Sequence, residues 1–163
     1  MDVTYKRDES AGYLTNWAGR LFVRAIERRL AGGSAGPMPV FFALADGGTM
    51  SQTALARWAS VEQPTMANTL NRMERDKLIE RTPDPNDRRS ALIGLTRLGR
   101  QRAGEALASA QDVNALALEG FKPAERDVLF ALLHRIARNL DADAQESALP
   151  ALPVSKPRTS RRS

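Results

Sequence analysis

Residues 78–96, Leu-Ile-Glu-Arg-Thr-Pro-Asp-Pro-Asn-Asp-Arg-Arg-Ser-Ala-Leu-Ile-Gly-Leu-Thr, narrow the possible folds more than any other stretch of this chain. Residues 78–82 and 91–96 are rich in β-formers, and Ile93 and Leu95 are spaced to share one face of a sheet. Between them Pro83, Asp84, Pro85, Asn86 and Asp87 favour tight bends and resist regular structure. The segment therefore reads as a hairpin whose tip thrusts two adjacent arginines, Arg88 and Arg89, into solvent. Such a finger beside a polar helix suits contact with an anionic polymer.

Charge is distributed to match. Residues 57–102 hold ten basic and six acidic side chains, whereas residues 103–146 hold four basic and eight acidic. The last 17 residues add Lys156, Arg158, Arg161 and Arg162 without an acid. The net charge of +5 thus sits on the central segment and the tail, as expected of a chain that docks phosphates. With 163 residues, one domain of ordinary size can bury a core. The chain has no cysteine, which excludes disulfides and thiolate metal ligands. No apolar run approaches the length of a membrane span, and the first residues lack the apolar stretch of a secretory signal. A cytoplasmic protein that makes no membrane contact is the expectation.

Helical periodicity dominates elsewhere. Residues 9–30 carry a stripe of Leu14, Trp17, Ala18, Leu21, Phe22, Ala25 and Ile26, with Ser10 as N-cap and Gly32-Gly33 as terminator. Arg20, Arg24 and Arg28 lie four apart on another face of the same helix. A second helix opens at Pro37-Met38-Pro39, contains Phe41, Phe42 and Leu44, and closes at Gly47-Gly48. Ser51 is placed to cap a short third helix over 52–59, with Leu55 and Trp58 inward. After a break at Ser60-Val61, a fourth helix over 62–77 turns Met66, Thr69, Leu70 and Met73 inward. It presents Gln63, Pro64, Ala67, Asn68, Asn71 and Arg75 outward. Two short helices joined so tightly make a helix-turn-helix, and the hairpin that follows completes a winged helix. Thr96 caps a long helix to about Glu119, and a last helix runs over 123–143 with Val128, Leu129, Leu132, Leu133, Ile136 and Leu140 as its stripe. The fold expected is mainly α with a small β-hairpin wing. Residues 1–48 would form the N-terminal helices, 49–96 the winged helix-turn-helix, 97–145 the C-terminal helices and 146–163 a disordered basic tail.

From about residue 10 to residue 143 the chain resembles the MarR-type (multiple antibiotic resistance regulator) transcriptional regulators. Met50-Ser51-Gln52-Thr53-Ala54-Leu55-Ala56 is similar to the start of the family's first helix-turn-helix helix. Residues 62–74 are similar to its recognition helix. Asp84-Pro85-Asn86-Asp87-Arg88-Arg89, followed by Leu95-Thr96-Arg97-Leu98-Gly99, matches its wing and exit. Family members usually carry glycine where the recognition helix ends; here Lys77 stands there, and a left-handed conformation costs lysine roughly 1 kcal/mol relative to glycine. The resemblance implies a homodimer built by the first helix and the last two. It also implies release from DNA when a small aromatic or phenolic compound binds between the two regions, with repression the commoner role.

On this reading the fourth helix enters the major groove, where base edges differ in donor and acceptor pattern. Asn68 and Asn71 can each donate to and accept from an adenine edge, and Gln63 can do so from the first turn. Thr65 can offer its hydroxyl, and Arg72 can reach guanine or the backbone. Pro64 and Ala67 share that face, and Ser51 and Gln52 are placed to hold phosphates. In an extended tip Asp87 would orient the Arg89 guanidinium for the minor groove. The bland alternatives are a solvated polar helix face and an exposed ion pair worth about 0–1 kcal/mol. For a ligand pocket the candidates are Trp17, Phe42 and Arg20, the last facing a ligand carboxylate; for each, ordinary core or interface is the weightier reading. The same holds for the lone histidine, His134.

Three other functions compete. An enzyme would need nucleophile, base and cleft, yet one histidine and no strand-turn-helix elbow are available; no catalysis, cofactor or metal is expected. A non-specific or architectural DNA binder would share the wing and the charge, but would not need Gln63, Asn68 and Asn71 aimed at bases. A winged helix turned to a protein partner would not need the wing arginines. The favoured reading is a homodimeric, sequence-specific regulator of a near-palindromic site on double-stranded DNA.

Overall fold

A computed structural model describes residues 6–30, 32, 34–87 and 89–148, the last five of these for their backbone only. After a short 3-10 turn at Arg7–Glu9 come helices α1 (Ala11–Glu27) and α2 (Met38–Ala43), strand β1 (Met50–Ser51), and helices α3 (Gln52–Trp58) and α4 (Gln63–Arg75). Strands β2 (Ile79–Pro83) and β3 (Ala91–Leu95) then lead to helices α5 (Arg97–Ala117) and α6 (Pro123–Ala148). Arg88 and the proposed disordered tail beyond residue 148 lie outside the described residues. The chain divides into two compact units, one through Ala117 and one from Leu118 onward.

Caps form where side chains can satisfy the open N–H groups of a first helical turn. The Ser10 hydroxyl accepts from Tyr13 N–H at 3.2 Å, and the Ser51 hydroxyl accepts from Ala54 N–H at 3.2 Å. Prolines occupy the first turns of α2 and α4, where the missing N–H is not needed. The sheet has the order β1-β3-β2, all antiparallel. Strand β1 is too short to announce itself by alternation, and it turns the expected hairpin into a three-stranded sheet. It pairs Met50 with Ile93 and Ser51 with Leu92, so the residues leading into α3 are fixed to the base of the wing.

The core of the first unit lies between α2, α3, α4, the sheet and the start of α5. Val40, Leu44, Leu55, Met66, Leu70, Met73 and Ile93 are fully buried in it. Ile93 and Leu95 share the buried face as their spacing requires. Some expected inward residues do not go in. Trp58 is 52% exposed, and Ala56 takes the buried place beside Leu55, because a seven-residue helix presents too little surface to bury both flanks. On α1 Leu14, Trp17 and Leu21 are exposed and Ala25 is buried, so most of that apolar stripe is left uncovered by the described residues. In the second unit Val128, Leu132, Leu133 and Leu140 are likewise exposed on α6, and His134 is exposed as well rather than in a core. Helix α6 continues five residues past the expected stop at Asp143, through a run without glycine or proline.

One junction holds the winged helix to α5. Helix α4 ends with Lys77 N–H donating to Glu74 C=O (2.9 Å) and Leu78 N–H to Met73 C=O (2.8 Å), the paired bonds of a Schellman motif. Lys77 has the left-handed φ of +58° that this closure demands, so the lysine anticipated to sit in glycine's place does bear that conformation. The Thr96 hydroxyl donates to Lys77 C=O at 2.7 Å and accepts from Gly99 N–H at 3.0 Å. Thr96 N–H donates to Leu78 C=O at 3.0 Å. Gly99 is pressed so close that a Cβ there would stand 1.8 Å from the Leu78 carbonyl oxygen. Backbone on both sides cannot yield to that overlap. Gly99→Ala is therefore expected to destabilise the protein by about 3 kcal/mol or more, at the upper end of overpacking costs. Urea unfolding followed by circular dichroism measures this; a loss below about 1 kcal/mol would show that α5 can slide away from β2.

Candidate nucleic-acid interface

Helix α4 is amphipathic, and its two faces divide cleanly. Met66, Leu70 and Met73 are buried, with Thr69 half-buried beside them. Gln63, Pro64, Thr65, Asn68, Asn71, Arg72 and Arg75 are exposed; Ala67 is half-buried. At 100° per residue, Pro64, Asn68, Asn71 and Arg75 form the stripe opposite the core. The Asn68 carboxamide has no intramolecular partner among the described residues. Glu62 stands in the N-cap position without a side-chain cap bond, leaving the first-turn N–H groups open.

Not every expected side chain points outward. Arg72 lines a groove with Ser34, Gly36, Pro37, Thr69, Met73 and Asp76, so its guanidinium turns toward the loop before α2 and away from the Asn68 stripe. Ser51 and Gln52 are half-buried, and the Ser51 oxygen is engaged in its cap. That hydroxyl keeps its proton available for donation.

The wing tip is a chain of turns, not an extended strand. Asp84 N–H donates to Ser90 C=O at 3.1 Å and closes the loop. The Asp84 carboxylate accepts from Asn86 N–H at 2.8 Å, and the Asp87 carboxylate accepts from Arg89 N–H at 3.0 Å. Ser90 N–H donates to Asp87 C=O at 2.9 Å. These are Asx turns, in which a short acidic side chain replaces a backbone acceptor. The expectation that Asp87 would grip the Arg89 guanidinium is corrected: its carboxylate binds the Arg89 backbone, and no Asp87–Arg89 ion pair exists among the described residues. Asp87 thus shapes the tip and leaves the exposed Arg89 side chain free to meet a partner. Arg88 lies outside the described residues.

Two residues that periodicity did not single out connect wing to helix. Arg81 in β2 donates from Nε to Glu74 Oε2 at 3.0 Å and from Nη2 to Asn71 Oδ1 at 3.3 Å. Its side chain is partly buried, sharing with Ile79 the face of β2 that packs on α4. The signal was available in the strand's alternation, since Ile79 inward places Arg81 inward too.

The candidate pocket residues are not gathered into a cavity. Trp17 is 49% exposed, Phe42 42%, and Arg20 is exposed on α1. None of them lines either of two grooves in the first unit, one between α2 and α5 and one between α1 and α5. One groove, of about 300 Å³, is lined by Leu30, Phe41, Leu98 and Ala106 together with Arg102 and Glu105. Arg102 Nη1 donates to Glu105 Oε2 at 3.0 Å. Hydrogen bonds from Gln101 and then Arg102 hold the Glu105 carboxyl below its usual range. No group of metal-ligating side chains occurs among the described residues, and no described helix is long and apolar enough to cross a membrane.

Known proteins share this architecture. The HTH-type transcriptional repressor NicR of Pseudomonas putida is 29% identical over 101 residues, 62% of each chain. The chain spans only about three fifths of the length of such relatives, 61% for the regulator YybA of Bacillus subtilis. The structure of Bordetella bronchiseptica BpsR, whose DNA binding is regulated by 6-hydroxynicotinic acid, superposes with a TM-score of 0.73 at 27% identity, covering 82% of this chain and 97% of that one. A mutant Escherichia coli MarR complexed with operator DNA shares the fold, with a TM-score of 0.69 at 22% identity over 77% of this chain and 91% of that one. Residues 40–91, from α2 through the wing, match the model of the MarR family. The winged helix, its wing turns and these likenesses agree: residues 40–91 match the MarR family of transcriptional regulators, and the chain around them shares the fold of MarR itself.

Proposed function

We propose that this chain is a homodimeric, sequence-specific DNA-binding repressor, with α4 in the major groove and the wing in the adjacent minor groove. The observation that carries it is the exposed stripe of Pro64, Asn68, Asn71 and Arg75 beside a wing tip that presents Arg89. A non-specific binder would need the charge but not carboxamides aimed at base edges. Gln63 and Thr65 would contact the first bases or phosphates, and Ser51 and Gln52 would position the backbone by donating to it. Arg72 would have to swing away from Gly36 to reach DNA, and its part would then be to touch phosphate.

The apolar surface supports a second copy as partner. Leu14, Trp17, Leu21 and Val23 on α1 and Val128, Leu132, Leu133 and Leu140 on α6 are exposed, and runs of this kind mark association surfaces. A two-fold dimer reads two half-sites whose centres lie about 34–36 Å apart, one helical turn. Selection of bound genomic fragments followed by footprinting should yield a near-palindrome of that spacing. It should also yield a site bound about 10³-fold or more tighter than bulk DNA. A single half-site, or equal affinity for bulk DNA, would defeat the reading. Arg89→Ala should weaken binding to the selected site by about 1–3 kcal/mol, as loss of one specific arginine contact does. Unchanged affinity with intact circular dichroism would remove the wing from the interface.

For an effector, the groove between Leu30, Phe41, Leu98 and Ala106 suits a small aromatic ring, with Arg102 at its edge to meet a carboxylate. Trp17, Arg20 and Phe42 would join a ligand site only where a second copy closes over them. BpsR makes 6-hydroxynicotinic acid the natural first compound to test. A small aromatic acid that releases the selected DNA from the wild type should fail with Arg102→Ala, whose DNA affinity stays within about twofold because Arg102 lies off the recognition stripe. Release undiminished in that variant would place the ligand elsewhere.

A further inference from the structure

Asn68 and Asn71 are the same residue type on the same face of α4, yet the structure gives them different chemistry. Asn68 is unpaired among the described residues. The Asn71 oxygen accepts from Arg81 Nη2 at 3.3 Å, while Arg81 is itself fixed by Glu74 through Nε at 3.0 Å. A guanidinium carries five donors and no acceptor. The carboxamide atom facing it must therefore be the oxygen, and the amide nitrogen must turn away, toward the open face of the helix. Asn71 and Glu74 lie three residues apart on α4, one turn, so a single planar fork from β2 reaches both. Arg81 is held on its other side by the sheet, where it stands opposite Ile93. The Arg81 side chain is 28% exposed and packs on α4, which limits its other orientations, while both contacts themselves lie at the surface.

Resting on the regulator reading above, we infer that Arg81 is a positioning residue for base recognition, holding Asn71 with its amide donors turned outward. An asparagine that recognises adenine with two bonds must accept from N6 while donating to N7. The Asn71 oxygen keeps a second lone pair, but it is turned toward the cation while the amide N–H groups face outward, so Asn71 favours an acceptor edge, O6 and N7 of guanine or O4 of thymine. Asn68, free to use both atoms, keeps the adenine preference. The two asparagines of one helix thus specify different bases, and the difference originates in a strand that need not touch the base.

The test uses full-length protein and a panel of duplexes in which each position of the selected half-site carries all four base pairs. The wild type is compared with Arg81→Met, which keeps an apolar stem and removes every donor, and with Asn71→Ala and the double variant. The wild type should favour guanine or thymine at one position by about tenfold, the worth of a good side-chain pair. In Arg81→Met that preference should fall below about threefold and adenine should gain there, with other positions unchanged. On the Asn71→Ala background, Arg81→Met should have no further effect at that position. Uniform weakening at all positions would overturn the inference and leave Arg81 as a structural or phosphate contact, as would additivity of the two changes. If Arg81→Met does not fold, Arg81→Lys, which offers a charge without the fork, must show the same loss of discrimination or the inference fails. A wild type with no base preference anywhere would instead sink the regulator reading, and this inference with it.

Discussion

The winged helix depends on a knot of backbone bonds at the end of α4. Lys77 takes a left-handed conformation to close the helix, and its carbonyl is captured by the Thr96 hydroxyl, which also caps α5 through Gly99 N–H. Thr96 N–H holds the neighbouring Leu78 carbonyl, and Gly99 has no Cβ to keep that carbonyl away. Four elements meet there: the end of α4, the start of β2, the end of β3 and the start of α5. The knot fixes where the wing leaves the recognition helix. It persists despite the strain of a lysine at positive φ, worth about 1 kcal/mol, because several hydrogen bonds depend on that one conformation.

From that fixed origin, the polar residues of the region divide into those consumed by the fold and those left for a partner. Ser51, Asp84 and Asp87 spend their oxygens on nearby N–H groups, and Glu74 spends its carboxylate on Arg81. Asn68 and Arg89 remain open. The division explains why charge alone is a poor guide: Arg81, Arg72 and Arg89 carry the same group, yet one ties strand to helix, one lies along an internal groove, and one faces solvent. An acid near a basic tip need not pair with it, since a backbone N–H two residues away is the nearer donor for a short side chain.

The apolar residues divide in a similar way. Those of α2, α4 and β3 are consumed in one close-packed core, whereas α1 and α6 display leucines, valines and a tryptophan to solvent. Periodicity announces that such a stripe will be covered without saying by what, because the signal is the same whether the cover is the same chain or a second one.

Much of the fold was legible in the sequence. Ser10 and Ser51 act as caps, prolines open α2 and α4, and alternation at Ile93 and Leu95 marks the buried side of the wing. Local patterns sufficed there because capping, turn chemistry and amphipathic spacing act over a few residues. The left-handed position of Lys77 was signalled by the family resemblance, which usually sets glycine there, and not by a pattern in this chain. What the chain alone could not disclose involved partners distant in sequence or elements too short to carry a period. Strand β1 exists only because β3 runs beside it, Trp58 stays outside because α3 is short, and Asp87 bonds backbone because its segment bends. The pairing of Arg81 with Asn71 spans ten residues across a helix end and a strand. The sequence determined which faces are polar and where helices start and stop; the tertiary structure decided which polar atoms on those faces remain free, since that depends on which donor arrives from another element.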